Sequence, residues 1–101
     1  MNPGDVVWLD LSPTVGHEQR GHRPALVVSP RLGSMVIVVP LTSKPPKVRS
    51  HVVLAEDSTA LCEQVRSVDV TRVTRIDRGA GLHALAQVRR VLGHLMGTAA
   101  R

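Results

Sequence analysis

The sequence predicts a mainly β domain, a small barrel of five to seven short strands closed by a C-terminal helix. Three observations point to it. Short valine-rich runs follow one another from Val6 to Ile76, separated by glycine, proline and polar punctuation. The run Met35–Leu41 is apolar without alternation, so it is expected to be buried on both faces, against a barrel interior and against a helix or second subunit. Finally, Leu82, Leu85, Val88, Leu92 and Leu95 recur three and four apart, opposite His83, Gln87, Arg90 and His94. That is the stripe of an amphipathic helix over about 82–97.

Taken in order, Val6–Leu11 is the first expected strand, entered through the Pro3-Gly4-Asp5 turn signal. Trp8 shares a face with Val6 and is expected in the core or an interface. A charged loop follows, and the second strand runs from Pro24 to about Ser29, the proline falling at a strand start where its missing N–H costs nothing. Arg31–Ser34 is a hairpin connection into the Met35–Thr42 strand. Ser43–Ser50 is basic and proline-rich, an exposed loop. His51–Leu54 is a short strand, Ala55–Ala60 a turn, and Leu61–Val70 a strand with a bulge expected near Ser67. Val73–Ile76 is the last strand, and Gly79-Ala80-Gly81 gives the final helix a weak cap.

Residues 1–101 read as one domain, since 101 residues support a single modest core. The net charge is +5, and all of it equals the excess of residues 11–50, where Arg20, Arg23, Arg31, Lys44, Lys47 and Arg49 face only Glu18. Such a basic stripe favours a phosphate backbone. Aromatic content restricts the mode of recognition. With one Trp and no Phe or Tyr, stacking of successive bases on an aromatic platform is not expected. The lone Cys62 is expected in the core and permits neither an internal disulfide nor a thiolate cluster. No signal peptide and no apolar run of the ~20 residues a membrane helix needs is visible, so a cytoplasmic protein is expected.

The densest chemistry lies in Gly16–Pro24. Its two histidines, His17 and His22, are five apart with Gly21 between them, whereas a zinc-binding pair needs four on one helical face, so no metal is expected there. What remains is carboxylate, imidazole, guanidinium and hydroxyl on two basic loops. Those groups suit cleavage of RNA by its own 2′-hydroxyl, which needs a base, donors for the phosphorane and a donor for the leaving oxygen. Arg23 fits phosphate bidentately, but a guanidinium keeps its proton and is a poor proton carrier. Glu18 or His17 is better suited as base. Thr42 ends a buried strand and offers a hydroxyl, and Lys44 attracts the backbone. Each also has a purely structural reading: a cross-strand ion pair for Arg23, an ordinary strand threonine for Thr42, a solvated strand face for Gln64 and Arg66.

The order Gly4-Asp5-Val6-Val7-Trp8, then Gly16-His17-Glu18-Gln19 and Gly21-His22-Arg23-Pro24-Ala25-Leu26-Val27-Val28-Ser29, resembles the MazF/PemK (Kid) toxins of toxin–antitoxin systems, as do Val39-Pro40-Leu41-Thr42-Ser43 and Glu63-Gln64-Val65-Arg66-Ser67-Val68-Asp69. The resemblance implies an SH3-like barrel with a C-terminal helix, shared with the CcdB toxins, and a homodimer. It implies a metal- and cofactor-independent, sequence-specific endoribonuclease (an mRNA interferase) that cuts single-stranded RNA, leaving a 2′,3′-cyclic phosphate and a 5′-hydroxyl, and is inhibited by a cognate antitoxin. It places the catalytic arginine on Arg23, the threonine on Thr42 and the glutamate on Glu18. It makes His17, Gln19, Ser43, Lys44, Gln64 and Arg66 RNA-binding or auxiliary. The alternatives are a non-catalytic module on the same fold, binding a protein such as gyrase, or a plain RNA-binding domain.

Overall fold

A computed structural model describes residues 1–11 and 22–97. Among these, seven strands precede one helix: β1 Val6–Asp10, β2 His22–Val27, β3 Met35–Thr42, β4 His51–Ala55, β5 Ser58–Leu61, β6 Arg66–Asp69, β7 Val73–Asp77 and α1 Leu85–Leu95. The strands pair antiparallel in the order β4-β5-β3-β2-β1-β7, with β6 beside the first half of β3. The expected mainly β architecture with a C-terminal helix is what forms. The hydrogen-bonded path does not close into a ring, because β4 and β7 are its two ends.

The alternation of side chains along each strand feeds two apolar clusters on opposite faces. Val6, Leu26, Val28, Val39 and Leu41 meet Val52, Ala60, Cys62 and the helix residues Leu85 and Val88. Val7, Leu9, Ala25, Val27, Val36 and Val38 meet Val68 on the other side, with Val73 and Ile76 packed against them. β3 therefore contributes to both clusters, as its unbroken apolar run implies. At 25 cal/mol per Å² or so, wholly buried valines such as Val7, Val36, Val38 and Val39 each contribute roughly 1.5–3 kcal/mol. Cys62 lies in the core as expected, and its burial with Glu63 nearby pushes the thiol up to about 11.

Four boundaries differ from the sequence expectation. β2 runs His22–Val27, two residues ahead of the expected Pro24–Ser29. The segment Ala55–Ala60 is not one turn: Ser58–Ala60 already belongs to β5, and Ala55 pairs with Ser58 around the two residues Glu56 and Asp57. The break expected near Ser67 lies earlier, in a 3-10 turn at Cys62–Gln64 that closes when the Val65 N–H donates to the Cys62 carbonyl, while Arg66–Asp69 pairs in unbroken register with β3. The helix begins three residues late. Leu82–Ala84 forms a 3-10 turn, and Ala84 caps α1 without a side-chain hydrogen bond, since neither it nor the Gly79-Ala80-Gly81 run carries a capping oxygen. Leu82 and Leu95, both counted in the apolar stripe, stay exposed at 59% and 49%.

Two glycines fix how the chain enters and leaves this sheet. Gly4 has φ +97°, and a Cβ there would meet Leu82 Cδ1 at 2.7 Å. A Cβ on Gly81 would collide with Leu26 Cδ1. The Gly81 N–H donates to the Gly4 carbonyl at 2.8 Å, so these two bare backbones lie against each other. Arg89 then ties the helix to the sheet by donating to the Val28 carbonyl at 3.1 Å. Among the described residues no helix is long and apolar enough to cross a membrane.

Candidate active site

β2 and β3 pair with Ala25 opposite Pro40. Extending that register by two residues puts Arg23 opposite Thr42, at the end of the sheet where β3 gives way to the Ser43–Ser50 loop. Both residues line one cleft of about 390 Å³, together with Trp8, Pro24, Ser43, Lys44, Asp57 and Ser58. Arg23 is exposed, and among the described residues its guanidinium makes neither hydrogen bond nor ion pair. The cross-strand ion pair considered for it is therefore absent among those residues. Thr42 is half-buried. Its Oγ1 accepts the Lys44 N–H at 3.3 Å, which leaves the hydroxyl hydrogen free to be donated. The same hydrogen bond turns the chain so that Lys44 lines the cleft.

The floor beside these groups is apolar. Trp8 faces Pro24 across the β1–β2 ladder and Arg75 across β1–β7. Its Nε1–H donates to Asp77 at 3.3 Å, and the Arg75 guanidinium lies 5.4 Å from the ring centroid. Trp8 is half-buried, not a core residue, and it forms part of the cleft wall. Two cations without a partner among the described residues, and a hydroxyl over a partly apolar floor, can hold a phosphodiester: the planar guanidinium donates a fork to non-bridging oxygens, and lysine supplies a point charge.

A family model described as "PemK-like, MazF-like toxin of type II toxin-antitoxin system" matches residues 2–96. The chain belongs to this family. It is 42% identical to the Endoribonuclease toxin MazF of Escherichia coli K12, over 64% of this chain and 65% of that protein. The match thus spans just under two thirds of that relative's length. It is 38% identical to Endoribonuclease EndoA of Bacillus subtilis, over 70% and 72%. Among solved structures, MazF in a MazE–MazF crystal from Deinococcus radiodurans matches with a TM-score of 0.84 at 33% identity, covering 98% of this chain and 97% of that one. An endoribonuclease from a mycobacterial species, in complex with its cognate antitoxin, shares the fold at a TM-score of 0.81 and 16% identity.

In this MazF-like chain the structure brings together Arg23, Thr42, Ser43 and Lys44 and keeps two other expected residues apart from them. Arg66 lies on β6 opposite Val38 and lines a separate hollow of about 330 Å³ with Leu11, Met35, Asp69 and Arg72. Gln64 is exposed on the 3-10 turn, not on a strand face. His17, Glu18 and Gln19 lie outside the described residues. No group of three His, Cys, Asp or Glu side chains among the described residues is arranged to hold a metal ion.

Sequence reasoning missed two features. One is the participation of Trp8, Asp57 and Ser58 in the cleft, for which only the strand register carries a signal. The other is the polar clasp at the far end of the basic loop. Glu63 accepts from the Ser50 hydroxyl at 2.6 Å and lies 3.0 Å from His51 Nε2. Because His51 Nδ1 accepts the Lys47 N–H at 3.1 Å, the neutral ring carries its proton on Nε2 and donates to Glu63. The Ser50 hydroxyl bond is the main cause holding the Glu63 carboxyl below its ordinary 4.5, against a smaller upward push from burial. The loop bearing Lys44 is thus fixed at both ends, by Thr42 and by this clasp.

Proposed function

We propose that this chain is a metal-independent endoribonuclease toxin that cuts single-stranded RNA at specific sequences, and that a cognate antitoxin restrains it. The observation that supports it most is the convergence of Arg23 with Thr42 and Lys44 in one cleft, within a MazF-like fold. Arg23 holds the non-bridging oxygens of the scissile phosphate and stabilises the charge that grows there in the phosphorane. The Thr42 hydroxyl donates to the same group. Glu18 accepts the 2′-hydroxyl proton, with His17 the competing base, and as the P–O5′ bond breaks the departing 5′-oxygen takes a proton from solvent, leaving a 2′,3′-cyclic phosphate and a 5′-hydroxyl. Ser43, Lys44 and Gln19 hold the strand on either side. Gln64 and Arg66 contact RNA away from the cut, because their positions lie outside the Arg23 cleft.

The working form is a homodimer in the cytoplasm. The basic clefts suit the acidic segment of an antitoxin as well as RNA, and the MazE–MazF crystal from Deinococcus radiodurans supports that partner. Incubating the purified protein with a long RNA in EDTA, and determining the chemistry of the new ends, tests the proposal. Cleavage with 5′-hydroxyl ends is expected. Uncut RNA, or ends bearing 5′-phosphates, would contradict it.

A further inference from the structure

A second hollow of about 300 Å³ opens from the Arg23 cleft and shares with it Trp8, Pro24, Leu41, Asp57 and Ser58. Beyond those shared residues it is closed by Leu54, Ala55, Ala80 and His83, with Val6 in its floor. Sharing five residues with the Arg23 cleft makes the two hollows continuous. Its walls are apolar and aromatic, which suits the face of a base.

The polar groups at its rim are acceptors. Asp57 is exposed at the β4–β5 turn, and among the described residues its carboxylate has no hydrogen bond or ion pair. His83 Nε2 lies 2.8 Å from the Leu54 carbonyl, so the neutral ring commits its N–H there and offers only an acceptor. A carboxylate beside a phosphate site repels RNA unless a donor on the RNA meets it. The nucleobase edge with two adjacent N–H donors is guanine N1–H and N2–H, which a carboxylate accepts as a pair. Uracil presents its N3–H between two carbonyls, which a carboxylate repels.

We propose that this hollow is a base-specificity subsite, in which a guanine next to the scissile phosphate packs against Trp8 and is read by Asp57. The proposal rests on the ribonuclease reading above. Trp8 supplies the apolar face, one base wide, so it does not require the run of aromatic platforms that the composition lacks.

Cleaving a randomised RNA pool with the intact protein and sequencing the product ends tests it. Wild type is expected to enrich guanine at one position beside the cut. Asp57→Asn and Asp57→Ala are expected to reduce that enrichment about tenfold, leaving preferences at other positions intact. Trp8→Leu is expected to raise KM while the favoured base stays the same. Wild-type cleavage with a motif that neither Asp57 variant alters would overturn the subsite alone. RNA left uncut by wild type would overturn the ribonuclease reading and the subsite with it.

Discussion

Asp5 and Arg23 are both charged residues next to strands, and the structure treats them in opposite ways. Asp5 is 4% exposed. Its carboxylate accepts the N–H groups of Asn2 and Gly79, each at 2.8 Å, with the Arg78 guanidinium 3.9 Å away. Its backbone carbonyl takes the Val27 N–H at 2.9 Å. The carboxylate and the backbone groups of Asp5 are committed to joining the chain start to β2 and to the turn before the helix. Arg23, Lys44 and Asp57, at the other end of the sheet, have side chains that spend no hydrogen bond on the described protein. Committed charge holds a fold together, whereas uncommitted charge gathered in a cleft awaits a ligand.

The comparison breaks most readily at Arg23. Arg23→Ala is expected to lower the RNA cleavage rate by about a hundred- to a thousandfold while the thermal midpoint stays put. Full cleavage by that variant would deny the cleft its role. Asp5→Ala is expected to do the reverse. Removing the carboxylate that accepts the Asn2 and Gly79 N–H groups, in part-buried bonds, costs about 2 kcal/mol, or a fall of roughly 10 °C in midpoint, with activity per folded molecule unchanged. Calorimetry paired with cleavage assays separates the two.

Smaller effects sharpen the contrast. Thr42→Val removes one hydroxyl donor and is expected to slow cleavage about tenfold. Lys44→Ala is expected to weaken binding to all RNA sequences alike and to lower the slope of log affinity against log salt by about one unit. The pH dependence of stability follows from Asp5 as well. Burial pushes its carboxyl up, but the Asn2 and Gly79 N–H groups and the nearby Arg78 outweigh that and hold it below its ordinary 3.8. Its contribution is therefore complete above that value and is lost as pH falls through the lower folded value. Asp5→Asn is expected to flatten the decline in midpoint below about pH 4.

How much of this could be read from sequence depended on whether the cause was local. The valine runs specify strands because their side chains fit a pleated, half-buried surface, and β1, β3, β4 and β7 lie within a residue or so of their expected spans. The β4–β5 hairpin was hidden because its turn, Glu56-Asp57, carries no glycine. No described non-glycine residue has positive φ, so this turn is not of the twist-matched hairpin types, and a register shift between Val53 and Ala55 accommodates it. The helix start was blurred for want of a capping side chain. Arg23 and Thr42 were each recognisable as phosphate-binding groups, but their juxtaposition depends on the β2–β3 register, a long-range fact. Trp8 is expected from sequence in the core or an interface, and its place on the cleft wall is hidden for the same reason, since its neighbours Pro24 and Arg75 come from two other strands.

The most direct test of the division between committed and uncommitted charge uses an RNA made uncleavable by a 2′-deoxy sugar at the mapped cut, titrated into labelled protein. Amide resonances of Arg23, Thr42, Ser43 and Lys44 are expected to shift most, with Asn2, Asp5 and Gly79 unmoved. Shifts centred on the Asp5 corner, with the Arg23–Lys44 cleft silent, would contradict the account.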